Sequence, residues 1–335
     1  MIRCHESFST GATSTELGFS AGVTATSGGR FSGSGRLTLS QSNATYTLPF
    51  SGSKIGVHMS ILSTSAPTGW TTVLGLREGA TVHLNFVFDS SGHLNVQRNG
   101  SAISGGVGTK VFYTGVWYGI EIWAEIHDTA GIVKVWIDGD PTPDIDVSSQ
   151  DTRNGGTGVI SVLHTMNLTG NVHWVGDLVV YDETGSYNNT APLGDCRVEW
   201  KQPDGNGNSS QLVGSDADST DNYLLVDETG PSTADYVESS TPAQKDTYTH
   251  AALSATSGAV LCVGMRLYAA KTDAGTRQIA PVYRHSGSEV DGATITLASN
   301  YIPYGASETQ ETKPGGGAWS ISDVNGAEFG LKIVA

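Results

Sequence analysis

Two glutamates stand four residues apart in the stretch Glu121-Ile122-Trp123-Ala124-Glu125. On an extended strand both side chains leave the same face. Paired carboxylates are the chemistry of glycoside hydrolysis, one acting as acid or base and the other as nucleophile or water activator. In a regular strand, however, Cα atoms at this spacing lie about 13 Å apart, whereas retaining hydrolysis needs carboxyl groups about 5–5.5 Å from each other. The pattern suits a solvated strand face better than a hydrolytic pair, and the chain reads as a non-enzyme.

The tryptophans offer a different chemistry. Trp123 and Trp136 alternate with Ile and Val residues and therefore leave the core face of their strands. With Glu121 and Glu125 they form the candidate binding site. An exposed indole pair is a platform for a flat sugar face, or a surface that a neighbouring subunit covers. Trp70, Trp117 and Trp174 belong to the same half of the chain.

Asp216, Asp218, Asp221 and Asp227 echo the oxygen positions of an EF-hand loop, and Asp216, Asp218 and Asp221 are the candidate calcium ligands. Asp221 occupies the place of the required glycine, and no flanking helices are expected. Asp204-x-Asn206-x-Asn208 is a second degenerate echo. Solvated acidic loops are the expectation for both, with no other cofactor. His83, His93 and His173 fall on outward or rim positions of strands, without zinc-ligand spacing. No nucleophile elbow, phosphate-binding loop or dinucleotide fingerprint occurs. Cys4, Cys196 and Cys262 match no zinc motif, and their odd number argues for thiols, with a Cys196–Cys262 bridge as the alternative.

The elements that must position these residues are strands. Glycine accounts for 43 of 335 residues, nearly twice the average of about 7%, as a turn-rich β protein requires. Apolar residues alternate with polar ones at 36–39, 45–50, 54–63, 71–77, 82–88, 93–98, 119–126, 133–138, 159–164 and 173–181, and helical periodicity is nearly absent. Asp89–Gly92 reads as a type I turn and Asn99-Gly100 as a two-residue hairpin turn. About ten short strands without helices argue for an all-β sandwich of the jelly-roll kind. A polar stretch at 183–193 reads as a linker, dividing the chain into domains 1–190 and 191–335. In the second domain strands are expected at 195–201, 212–214, 245–248, 259–270, 278–284, 295–304 and 330–334, a short helix at 322–329, and acidic loops at 203–210 and 215–222.

The run "LNFVFDSSGHLNVQRNG", followed by "GVWYGIEIWAEIHDTAGIVKVWIDG" and later "GDLVVYDETG", resembles the concanavalin A-like, laminin-G/pentraxin type of jelly roll over residues 1–190. Laminarinase-type glucanases on that fold carry a strand E-x-D-x-E. Here Trp123 stands in place of the central aspartate, so the resemblance implies that the group orienting the nucleophile is missing. The segments "LGDCRVEWKQPDGNG", "DAGTRQIAPVYRHSG" and "AWSISDVNGAEFGLKIVA" look similar to the C-terminal part of tailed-bacteriophage virion proteins, which share this two-part layout.

These resemblances imply a structural component of a phage or phage-like particle, in the tail or a surface appendage. Its first domain would present a glycan- or host-surface-binding module, and its second would mount or oligomerise it. The alternatives are a capsid decoration or head-appendage protein without sugar binding, and a polysaccharide-degrading enzyme on the same fold. The expected partners are other virion proteins, further copies of the chain and a host-surface glycan. A formal charge of −15 argues against nucleic acid, and no apolar run approaches the ~20 residues of a membrane span. Residues 1–11 lack the apolar segment of a secretory signal, which fits a protein made in the host cytoplasm and located in the virion.

Overall fold

The computed structural model describes residues 1–8, 19, 24–31, 34–39, 43–65, 71–166, 173–228, 232–304 and 309–335; Trp70 and Asn167 fall outside them. The chain is all-β and divides into two compact units, Met1–Val198 and Glu199–Ala335. The division falls eight residues beyond the expected boundary, because residues 191–198 pack on the first unit. Among the described residues no helix is long and apolar enough to cross a membrane.

Fourteen strands build the first unit: β1 (Ile2–Glu6), β2 (Thr24–Ser27), β3 (Gly35–Leu39), β4 (Asn43–Gly52), β5 (Lys54–Ser63), β6 (Thr71–Glu78), β7 (Thr81–Phe88), β8 (His93–Arg98), β9 (Ser101–Val111), β10 (Trp117–Glu125), β11 (Gly131–Ile137), β12 (Ile145–Gln150), β13 (Ile160–Met166) and β14 (His173–Tyr181). One sheet runs β12-β11-β10-β5-β14-β3-β2, with β1 also on β14; the other runs β4-β13-β6-β7-β8-β9. Every pairing is antiparallel. Ile120, Ile122, Val133, Val135, Val57 and Ile61 of the first sheet share one apolar core with Leu74, Leu76, Leu84, Phe86, Leu94 and Val96 of the second, as their alternation requires.

Both turns adopt the backbone their residues favour. Asn99 and Gly100 have φ of 49° and 76°, the left-handed pair of a tight hairpin. Gly92 N donates to Asp89 O at 3.1 Å. Strands β1, β2, β9 and β12 were not expected. β9 reads Ser-Ala-Ile-Ser-Gly-Gly-Val-Gly-Thr-Lys-Val, with too few apolar residues to show a period of two. No disulfide joins the cysteines; Cys4 and Cys196 are buried thiols and Cys262 is half-buried.

The second unit is built on a smaller antiparallel sheet in the spatial order Pro203–Ser210, Lys245–His250, Glu328–Ile333, Gln278–His285, Ser288–Asp291. Two small cores flank it, one of Leu212, Ile279 and Ile333 and another of Trp319, Val324 and Ala327. The short helix Ile321–Asn325 begins at a capping box between Ser320 and Asp323 and ends earlier than expected, the chain turning extended again at Glu328. Two further expectations are corrected. Residues 203–210 form an edge strand, whereas 195–201 form none. The physical reason for the second correction lies in the candidate site.

Candidate functional site

Strand β10 carries Glu121, Trp123 and Glu125 on the face opposite the core, as alternation demands. That face is not open at Glu121, which is 2% exposed, nor at its register partner Trp136, which is 5% exposed. Residues 193–198 cross the sheet here as a strap. Glu121 Oε1 accepts from Leu193 N at 2.6 Å and from Tyr181 Oη at 2.5 Å, and Oε2 accepts from Gly194 N at 2.9 Å. Further along, Cys196 N donates to His58 Nε2 at 3.2 Å and Val198 N donates to Asp177 Oδ1 at 3.0 Å. The strap's amides thus bond to side chains of β10, β5 and β14 instead of to a neighbouring backbone, which is why 195–201 is not a strand.

Charge pairing holds the strap at its centre. Asp195 bonds Arg30 Nη1 at 2.5 Å and lies 3.5 Å from His58 Nε2, while Arg30 Nη2 reaches Asp138 Oδ1 at 3.0 Å. Burial works against the Asp195 carboxylate, yet the Arg30 guanidinium, with the His58 ring beside it, outweighs it and holds its pKa below the usual range. The reverse holds at Asp177. Burial pushes its carboxyl up, against the bonds from Val198 N and Ser60 Oγ.

The expected four-residue site is therefore divided. Trp136 and Glu121 are interior. Trp123 is half-buried, its ring 5.7 Å from that of Tyr181, and Glu125 stands 3.8 Å from Lys54 Nζ. The two glutamates do not converge on a shared opening, and the expected indole pair is not a platform.

A second indole pair lies elsewhere on this sheet. Trp117 of β10 and Trp174 of β14 are both register partners of Leu62 on β5, so they flank it on the same outer face. Their centroids lie 6.3 Å apart at 40°, and both rings are half-buried. The Arg36 guanidinium of β3 lies 3.4 Å over the Trp174 ring, tethered by Nε to Thr26 Oγ1 at 3.3 Å and by Nη1 to Gly28 O at 3.3 Å. Beside Trp117 along the chain, Tyr113 and Val116 are 66% and 44% exposed. Alternation alone places Trp117 and Trp174 outward as readily as Trp123 and Trp136. The pairs differ in that Trp136 is buried, next to Glu121, on which residues 193 and 194 sit. The Arg36–Trp174 contact has no signature in the sequence.

In the second unit the acidic loop is a set of turns. Asp216 Oδ1 accepts from Asp218 N at 3.3 Å, Asp218 Oδ1 accepts from Thr220 N at 2.7 Å, and Asp221 has φ of 55° ahead of the short 3₁₀ turn Asn222–Leu225. Asp204 accepts from Thr249 Oγ1 at 2.9 Å. Among the described residues no three acidic, histidine or cysteine side chains gather as metal ligands, so the structure does not bring Asp216, Asp218 and Asp221 together for calcium.

No family model matches the chain, and no curated protein does either. Among solved structures it is similar to the Trypanosoma rangeli sialidase in complex with 2,3-difluoro-KDN, at 15% identity and a TM-score of 0.32, over 44% of this chain and 24% of that one. It is also similar to the alginate lyase Aly36B, at 13% identity and a TM-score of 0.38, over 53% of this chain and 95% of the lyase. Domain 4 of AbnA, a GH43 extracellular arabinanase from Geobacillus stearothermophilus in complex with arabinotriose, is similar at 14% identity and a TM-score of 0.35, over 53% and 91%. The chain thus spans about a quarter of the length of the sialidase it matches.

Proposed function

We propose that this chain is a non-enzymatic structural component of a phage or phage-like particle whose first unit binds a glycan or host surface through Trp117, Trp174 and Arg36. The observation that carries the binding reading is the row Trp117–Leu62–Trp174, two half-buried indoles on one sheet face with a guanidinium stacked on the second. Indoles offer flat apolar area to the C–H faces of a sugar, and a guanidinium beside them supplies donors for hydroxyl groups. The particle reading rests on the sequence resemblance of residues 194–335 to tailed-phage virion proteins. In such particles many copies act together, so weak sugar contacts sum to useful avidity. The non-enzymatic reading is supported by Glu121, whose carboxylate is occupied by two amides and a phenol while Glu125 faces Lys54.

A capsid-decoration role without sugar recognition is the second reading. It is favoured by exposed Tyr113 and Val116 beside the indoles, apolar surface of the kind a subunit contact buries.

The test is Trp117→Ala and Trp174→Ala in the full chain, read by melting and by titration against host-surface glycan. Binding is expected to weaken by about tenfold or more, as for an aromatic anchor, with little change in stability. Unchanged glycan binding with loss of particle incorporation would turn the assignment to the second reading. Release of reducing sugar by the purified protein would overturn the non-enzymatic assignment.

A further inference from the structure

The outer face of the six-stranded sheet holds a different constellation. Thr45, His164, Gly75, Asn85 and Gln97 are successive register partners on β4, β13, β6, β7 and β8, and so form one row across the sheet. Gly75 lets Asn85 and His164 close over the middle of the row. A Cβ there would stand 3.0 Å from Asn85 Oδ1 and 3.5 Å from His164 Cβ. Arg77 leaves the same face one pleat further along, since Leu76 between them is in the core.

Three buried polar atoms of this patch have no hydrogen-bond partner: Arg77 Nε, Asn85 Oδ1 and His164 Nδ1. His164 is 3% exposed, whereas Arg77 and Asn85 are only half-buried and keep part of their surface towards solvent. Buried polar groups are almost always satisfied in a folded protein, so three unsatisfied atoms in one patch call for an explanation.

The charge of Arg77 is equally uncompensated. Arg3, Arg30, Arg98, Arg153, Arg277 and Arg284 each pair with a carboxylate, whereas Arg77 pairs with none among the described residues. Its neighbour Glu78 is committed to the amides of Thr157 and Gly158 and lies 3.4 Å from His83 Nε2. Burial lowers the pKa of Arg77, and burial together with the Arg77 charge pushes His164 down to about 4, so the imidazole is neutral near pH 7.

We propose that Arg77, Asn85 and His164 form a binding site for a carboxylate group, separate from the Trp117–Trp174 face. The guanidinium fork matches a carboxylate in two parallel hydrogen bonds, and the amide and neutral imidazole add uncharged polar contacts. One cation balances one negative charge. A dianionic phosphate would remain under-neutralised in a chain whose formal charge is −15. The carboxylate belongs either to a uronic-acid unit within a glycan chain or to a small free acid.

Calorimetric titration of the full chain at pH 7 and low salt separates these sources. The probes are galacturonate and glucuronate trimers, the two free uronates, and neutral galactotriose. Uronates are expected to bind about tenfold or more tightly than galactotriose, with Arg77→Ala abolishing the difference and Arg77→Lys restoring part of it. Trimers that exceed the monomers assign the site to a glycan chain, and equal affinities assign it to a small acid. Arg77→Met is expected to melt no lower than the parent, because the fold provides that cation with no partner. The proposal is overturned if neither uronate form binds above galactotriose, if Arg77→Ala binds them unchanged, or if Arg77→Met melts well below the parent.

Discussion

Tyr181 donates its hydroxyl to Glu121 Oε1 at 2.5 Å across the width of an intervening strand, the phenol lying over Gly56. Burial and the neighbouring Glu121 charge both raise the pKa of Tyr181, so its hydroxyl keeps the proton it donates. Glu121 is thereby fixed to receive the strap amides of residues 193 and 194. The carboxylate that looks catalytic in the sequence is an anchor for the chain leaving the last strand.

Glu121→Gln is expected to destabilise the first unit by about 3 kcal/mol, because a buried acceptor of three bonds loses its charge and gains a donor pointed at other donors. Tyr181→Phe removes one of those bonds and is expected to cost about 1–2 kcal/mol. A double-mutant cycle measured by chemical denaturation is expected to show that the two changes are not additive. Full additivity would mean that the hydrogen bond contributes nothing.

Gly56→Ala places its methyl 2.0 Å from Tyr181 Cζ, and Tyr181 has no room to retreat because it is fully buried. The expected loss is about 3 kcal/mol, the upper range for overpacking, accompanied by a change in the fluorescence of Trp123, which stacks on the same phenol. A variant melting like the parent would show that the ring does not cross the strand.

His173 supplies part of the pH dependence, and His164, depressed in the same way, supplies another part. His173 is 1% exposed beside Phe88, neither ring nitrogen has a partner, and burial lowers its pKa from 6.5 to about 4. A group depressed in the folded state contributes its full stability above its unfolded pKa and loses it as the pH falls. The first unit should therefore weaken as the pH drops from about 6.5 towards 4, with His173 accounting for up to about 3 kcal/mol of the loss. His173→Leu is expected to reduce that slope, leaving the share of His164, and to melt higher than the parent at pH 5. An unchanged slope would remove His173 from the account.

The strap makes the exact end of the first unit matter. A chain ending at residue 190 lacks the amides of Leu193, Gly194, Cys196 and Val198, and leaves Glu121, His58 and Asp177 without those partners. Compared with a chain ending at residue 198, it is expected to melt lower by roughly 10 °C, from several lost buried hydrogen bonds at about 2–4 °C per kcal/mol. Equal melting temperatures would show that the strap is dispensable.

The apolar alternation of β5, β7, β10 and β11 was enough to determine an all-β sandwich and to say which side of each strand is core, because burial of one face imposes a period of two on every strand. The turns at Asp89–Gly92 and Asn99-Gly100 were legible for an equally local reason, since each depends on the backbone preferences of two to four adjacent residues. Which outer face stays open was not legible. Trp117, Trp123, Trp136 and Trp174 look alike in the pattern, yet Trp136 is buried and the other three are half-buried, and nothing in the pattern foretells the path of residues 193–198 over Glu121 beside Trp136. That path has no period of its own, because its amides bond to Glu121, His58 and Asp177, side chains 21 to 138 residues away in the chain. The row of His164, Gly75 and Asn85 was hidden in the same way. Each residue is an ordinary outward position on its own strand, and strand pairing at long range, decided by the packing of the two sheets on one core, makes them neighbours.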